Sequence, residues 1–450
     1  MDMNRLSNSI LRVSVFSYLL FAVWALYSFR ESMSSGMLIL THLISLSYFA
    51  SIAFLISVSS KKNFLLWGAG IAFSVFWLIQ LKEIYLFELG DFFGAGVDVR
   101  YYEQVAVSNI NAGIQDFIQA LQRDISVDDW GFFSLMYLAY SFVGSPEGGR
   151  ILMMIANTLA VLLSAVYLYR MLKILDLMPQ TILFVVSIFL LSPFNFVITS
   201  VGLKENFFVL LIVLSLHSTI KFGSNKRRKH LFLAFLYAGL CFFFRPPVAG
   251  MLLITSITAA IITERNKNRV LRWGVVLVVL TLPFFDIVIQ KAFGLSLGHV
   301  LSVTNYRFRN IGSVQTGWAI NFIGALIGPF PNFTRSDIYG IYYSGVLLLK
   351  SFLGPFFYIG LYRAWKQKNV AYIPLMLYWL LNGSMYVLGG ISLDYRYQIT
   401  VFPAWLCFTA FGMDWYRMNK GRKVYYFILL YSLLVLLVIM FYNLRGLAND

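Results

Sequence analysis

Residues 180–220 read QTILFVVSIFLLSPFNFVITSVGLKENFFVLLIVLSLHSTI. Two apolar runs, 180–198 and 204–220, flank a short polar break. Each has roughly the 17–22 residues that carry a helix across about 30 Å of hydrocarbon. A helix half exposed to water would alternate an apolar stripe with a polar face, and neither run does so. The stretch therefore predicts two membrane-spanning helices joined by Ser192-Pro193-Phe194-Asn195 and then Ser200-Val201-Gly202-Leu203-Lys204-Glu205-Asn206, a polar break at the outer membrane surface.

Working outward, the same block pattern recurs near 9–29, 37–58, 64–81, 150–169, 231–244, 247–263, 273–290, 341–362, 371–390, 399–415 and 425–443. That makes about thirteen spans. The composition agrees, with 59% hydrophobic, 18% aromatic and 12% charged residues and a mean hydropathy of +0.73. A soluble domain is near a quarter charged, so that class is excluded. The first run follows Arg5 and Arg12 but is long and lacks a small-residue cleavage site, so it reads as a span rather than a removed signal. The expected fold is an all-α, polytopic transmembrane bundle forming one integral membrane domain over 1–450.

The net charge of +16 raises nucleic acid as a partner, but its placement argues otherwise. Basic clusters fall between apolar runs, at Lys61-Lys62, Arg170/Lys173, Lys221 to Lys229, Arg265 to Arg272, Arg363 to Lys368 and Arg417 to Lys423. These are positive-inside signals. They place the N-terminus inside and the C-terminus outside, with two large external loops, 82–149 and 291–340. Gly131 to Gly144 is apolar but short, and reads as a helix lying along the outer membrane surface.

Cations on the outer side are then the informative ones, because the inside rule does not account for them. They include Arg100, Arg123 and Arg150 in the first loop, Lys204 and Arg245 at helix ends, Arg307, Arg309 and Arg335 in the second loop, and Arg396 after the eleventh span. Arginine forks match phosphate oxygens, so their gathering over one outer cavity would suit an anionic ligand. The alternative is that they pair with outer carboxylates or lipid headgroups. Arg245 precedes Pro246-Pro247, which places it on broken backbone of the kind that lines a cavity at membrane depth. Lys204 and Glu205 read either as ligand contacts or as a pair that snorkels to the surface. Asp394 and Arg396 read either as site residues or as a self-contained ion pair.

Gly94-Ala95-Gly96-Val97-Asp98-Val99-Arg100-Tyr101-Tyr102-Glu103 opens the first large loop with glycines for a turn, an acid for proton transfer and tyrosines for sugar faces. Asp98 has the alternative role of capping a helix that starts near Val99. Cys241 and Cys407 lie within apolar runs, and His42, His217, His230 and His299 are scattered, so no disulfide framework, metal site or cofactor is expected. No phosphate-cradling glycine loop faces the cytoplasm. A donor substrate, if there is one, is expected to be carried in the membrane.

Gly96-Val97-Asp98 with Tyr102, followed by Asp129-Trp130-Gly131-Phe132-Phe133, resembles the EpsG-like and Wzy-type polysaccharide polymerases. Ser192-Pro193 to Lys204-Glu205, and Asp394-Tyr395-Arg396-Tyr397 to Pro403, are similar to the GT-C class of multi-span glycosyltransferases. The resemblance implies a GT-C-like bundle with external loop helices. The implied enzyme joins polyprenyl-diphosphate-linked (undecaprenyl-type) oligosaccharides, without metal, into O-antigen, capsule or exopolysaccharide on the outer face of the inner membrane. A flippase and a chain-length regulator are the implied partners. Asp98 would be the base, with Glu103 second. Arg245, Arg396, Arg307, Arg309 and Lys204 would hold the diphosphate, and Tyr101, Tyr102, Trp130 and Asp394 the sugars. In GT-C enzymes the acidic residue follows the first span, whereas Asp98 follows the third expected here. Two other functions fit the same pattern: a GT-C transferase adding one sugar from a polyprenyl-monophosphate donor, and a flippase or transporter of lipid-linked oligosaccharide.

Overall fold

The structure, a computed structural model, describes residues 3–28, 35–57, 97–109, 113–125, 129–263, 314–333, 338–367, 370–419 and 421–447, with isolated positions between 64 and 74 and between 298 and 306. Every element among them is helical. In chain order these are α1 (Met3–Ser28), α2 (Ser35–Ser57), α3 (Val97–Ser108), α4 (Ile114–Asp124), α5 (Trp130–Val143), α6 (Pro146–Ile174), α7 (Pro179–Leu190), α8 (Pro193–Val201) and α9 (Glu205–Asn225). Then follow α10 (Arg228–Phe242), α11 (Pro246–Thr263), α12 (Val314–Ile327), α13 (Ile338–Gln367), α14 (Ile373–Gly389), α15 (Tyr395–Gln398), α16 (Phe402–Met418) and α17 (Arg422–Leu447).

Eight segments among the described residues are long and apolar enough to cross a membrane. The chain is thus a multi-pass helical membrane protein. Thirteen spans are expected from the sequence. Of these, 273–290 falls outside the described residues, 64–81 is described only at isolated positions, and 37–58 corresponds to α2, of 23 residues. Expected spans 231–244 and 399–415 correspond to α10 and α16, of 15 and 17 residues. Both end against turns at the end of the bundle described below.

The first surprise is at the centre. Pro179–Ser200, which holds α7 and α8, is 94% buried, whereas Arg422–Leu444 is 11% buried. The Ser192-Pro193 break is therefore covered by the surrounding helices. It is tolerated because its polar groups are satisfied locally. Ser192 Oγ accepts from the Phe194 N–H at 3.3 Å, and Asn195 Nδ2 donates to the Phe189 carbonyl at 2.6 Å. Irregular backbone at this depth survives only where protein covers it.

Around this axis α6, α9, α10 and α11 pack as one group and α1, α2, α13 and α16 as another, with α14 touching both. At the α13–α16 crossing, a Cβ on Gly360 would lie 1.9 Å from the Phe408 carbonyl oxygen, and one on Gly412 would lie 1.8 Å from that of Phe356. Small residues let the two backbones touch, which is the main source of helix association where lipid is as apolar as the side chains. Asp414 near the end of α16 accepts from the Met178 N–H at 2.7 Å and from the Thr181 hydroxyl, closing the exposed start of α7.

The helix expected at Gly131 to Gly144 is α5, ended by Gly144 at φ +73°. It packs on α3 and α6. The second large loop, expected over 291–340, contains α12. Asn321 ties this helix down through Nδ2 to the Val387 carbonyl at 2.7 Å and through Oδ1 to the Ser392 N–H at 2.9 Å.

Candidate functional site

At one end of the bundle the starts of α5, α9 and α11 meet the middle of α3 and the ends of α10 and α14. The chain reaches this end from α8 through Gly202, whose φ of +74° suits a residue without a side chain. Lys204 and Glu205 follow at once, at the start of α9. The Lys204 ammonium pairs with Asp129, which immediately precedes α5, and Asp129 Oδ2 also accepts from the Tyr102 hydroxyl at 2.5 Å. A lysine this buried requires such a partner. Lys204 is therefore committed to Asp129.

Arg245 sits on the non-helical residue between α10 and α11. Its N–H donates to the Cys241 carbonyl at 2.8 Å, and Pro246 opens the next helix without needing a donor. The turn is held against α5 by the Gly131 N–H, which donates to the Phe243 carbonyl at 2.8 Å. Gly131 permits the approach, since a Cβ there would lie 2.5 Å from the Phe244 ring.

α15 supplies the opposing wall. Asp394 Oδ1 accepts from the Arg396 N–H at 2.9 Å, capping this short helix. The Tyr397 ring is approached by two arginines. The Arg245 guanidinium carbon is 5.0 Å from its centroid and that of Arg396 is 5.6 Å away. Both distances are within cation–π range. Arg396 also meets Glu205, Nε to Oε1, at 3.0 Å. From beneath, the Tyr386 hydroxyl donates to the Tyr397 carbonyl at 2.7 Å, and Lys350 Nζ donates to Gln398 Oε1 and to the Gly328 carbonyl, both at 2.8 Å.

The remaining candidates are distributed as follows. Glu103 is buried and gripped at both oxygens by Arg150, Nε to Oε1 at 2.5 Å and Nη2 to Oε2 at 2.9 Å, and Oε1 also takes the Tyr140 hydroxyl at 2.8 Å. Burial and the Glu103 carboxylate both push the Tyr140 phenol upward, so it remains a donor. A carboxylate held in this way is poorly placed to take a proton from a substrate. Tyr102 is buried with its edge toward Phe132, while Tyr101 is exposed. Trp130 donates from Nε1 to the Ile125 carbonyl at 3.0 Å. Its ring lines a groove of about 460 Å³ with Phe117, Ile118, Leu121, Phe243 and Phe244, next to Arg245. Asp98 is on the first turn of α3, but its side chain lies outside the described residues, as do Arg307 and Arg309.

The structure thus brings together Arg245, Arg396, Lys204, Asp394 and Trp130, and adds two residues that sequence reasoning undervalued. Glu205 can be read equally as a surface-seeking charge, because its partner is far along the chain. Lys350 had a signal that was passed over, a cation inside an apolar run, which is costly unless it serves structure or chemistry. The chain matches no protein-family model, no curated protein and no solved structure.

Proposed function

We propose that this chain is a membrane glycosyltransferase that polymerises polyprenyl-diphosphate-linked oligosaccharides into a surface polysaccharide. The observation that carries this reading is the meeting of Arg245 and Arg396 at the one ring of Tyr397, beside an apolar groove. A lipid diphosphate is an amphiphile with a hydrocarbon tail, an anionic head and a sugar. The groove suits the tail, arginine forks suit the phosphates, and nearby aromatic and carboxylate groups suit the sugar.

In this reading all thirteen expected segments cross the inner membrane of a bacterium, in a GT-C-like bundle with the N-terminus inside and the C-terminus outside, and the site opens on the outer face. A flippase would deliver the units and a chain-length regulator would set the product. In the reaction an acceptor hydroxyl attacks the anomeric carbon while the carbon–oxygen bond to the diphosphate breaks. Arg245 and Arg396 take up the charge that develops on the leaving group. Lys204, neutralised by Asp129, shapes the site without adding net charge.

The test is surface polysaccharide from cells lacking the chain, run beside cells carrying the wild type or Arg245→Ala. The reading expects single lipid-linked units in the deletion, a ladder with wild type and a strongly reduced ladder with Arg245→Ala. Repeats shortened by one sugar would instead indicate a single-sugar transferase. An unchanged ladder would sink the polymerase reading.

A further inference from the structure

Among the described residues, Glu205 is a carboxylate half used. Its side chain is 4% exposed, Oε1 faces Arg396, and Oε2 accepts no hydrogen bond. Leaving a buried carboxylate oxygen unsatisfied is costly, so such an atom calls for an explanation. The neighbouring Asn206 Oδ1 is also buried and unsatisfied, so the start of α9 presents two acceptors awaiting donors.

The pairing with Arg396 differs from the Arg150–Glu103 fork. Arg396 Nε lies 3.0 Å from Oε1, yet makes no hydrogen bond there because its N–H is not directed at that oxygen. The Nε–Oε1 contact is an ion pair without an aligned hydrogen bond. Arg396 is also the outer member of the pair, 31% exposed, and it covers Glu205. Arg396 is mounted on the short helix α15, whose backbone is pinned by Asp394 and Tyr386 and whose Gln398 side chain accepts from Lys350.

We infer that Glu205 is the general base of this site, covered by Arg396 until the donor's diphosphate draws that guanidinium away. This rests on the lipid-diphosphate reading above. Two phosphates outcompete one carboxylate for an arginine fork, since they offer more charge and more acceptor oxygens. As Arg396 turns to the diphosphate, Oε2 becomes accessible and the counter-charge on Oε1 is withdrawn. Glu205 then accepts the proton of the acceptor hydroxyl. That oxygen forms its bond to the anomeric carbon, and the electron pair of the breaking carbon–oxygen bond leaves on the diphosphate beside Arg245 and Arg396. One proton moves to the carboxylate, one bond forms and one breaks. The arrangement withholds the base until the donor is seated.

The experiment uses the full chain in membrane vesicles, with polyprenyl-diphosphate-linked units extracted from cells that lack it. Binding of labelled units and formation of joined units are measured separately for wild type, Glu205→Gln, Glu205→Asp and Asp98→Asn. The expected result is that Glu205→Gln binds units at least as well as wild type, because Arg396 is no longer shared. Its joining rate should fall by about 10²–10⁴-fold, the usual loss of a general base, and Glu205→Asp should recover part of it. Joining at the wild-type rate in Glu205→Gln, with loss confined to Asp98→Asn, would assign the base to Asp98 and overturn the inference. So would simultaneous loss of binding and joining in Glu205→Gln, since that marks a structural role. Wild-type vesicles that bind units and never join them would instead overturn the polymerase reading, and this inference with it.

Discussion

Arg150 at the start of α6 holds both carboxylate oxygens of Glu103 on α3, and Tyr140 of α5 completes the set. Two helices of the first large loop and the membrane helix that follows them are thereby joined through one carboxylate. Replacing Arg150 by Met strands that buried charge, and the expected cost is about 3 kcal/mol, at the low end for a broken buried pair because Arg150 is partly exposed. Tyr140→Phe should cost about 1.5 kcal/mol, the loss of one bond to a charged group. Heating in detergent, followed by the fraction still eluting as folded monodisperse protein, measures both. Glu103→Gln should keep the joining reaction below its melting point, which would not hold if Glu103 were the base.

Lys204 and Asp129 should behave as one unit. Asp129→Asn leaves a buried ammonium without its counter-charge, and the expected result is a large loss of folded protein. Adding Lys204→Met to Asp129→Asn should restore much of it. A double-mutant cycle on thermal stability should give a coupling of about 1–3 kcal/mol; additive losses would mean that the pair does not hold α5 to α9.

Arg245 and Tyr397 are tested by chemistry rather than size. Arg245→Lys keeps the charge but loses the planar fork, so the polymer ladder should be only partly restored. Tyr397→Leu removes the shared ring and should weaken binding of the lipid-linked unit by about 0.5–2 kcal/mol. A fully normal ladder from Arg245→Ala would remove Arg245 from the site.

Gly360 and Gly412 bring the backbones of α13 and α16 into contact. A leucine at position 412 cannot be accommodated by a side-chain rotation, because the atom it meets is the Phe356 carbonyl oxygen. The expected loss is about 3 kcal/mol, the upper part of the overpacking range, seen as poor recovery from the membrane. Gly250→Leu is the control, since nothing stands near a Cβ there.

The bundle is legible in the apolar runs because a chain that must satisfy its backbone in lipid has few options other than helices. Arg245 is legible too, since Pro246 and Pro247 announce a break and a cation on a break needs a reason. What sequence does not show is pairing over distance. Asp129 lies 75 residues from Lys204, and neither α5 nor α9 carries a mark naming the other. Glu205 suffers the same way, with its partner on α15. The end of α10 is not legible either, because the apolar run continues through Phe242, Phe243 and Phe244, although the helix stops at Phe242 and the next two rings line the groove.

The buried position of α7 and α8 also bears on how the protein is made. This segment is complete before α13 and α16, its later neighbours, have been synthesised. At about 5–20 residues per second, that interval is on the order of ten seconds. During it the future axis of the bundle stands in lipid with several polar side chains. Ser187 donates to Leu183, Asn195 to Phe189 and Ser200 to Val197, all within the segment itself. The hydrogen bonds that let the broken helix survive at the centre of the finished protein are therefore available from the moment it leaves the ribosome, and the segment can wait for its partners without recruiting wrong ones.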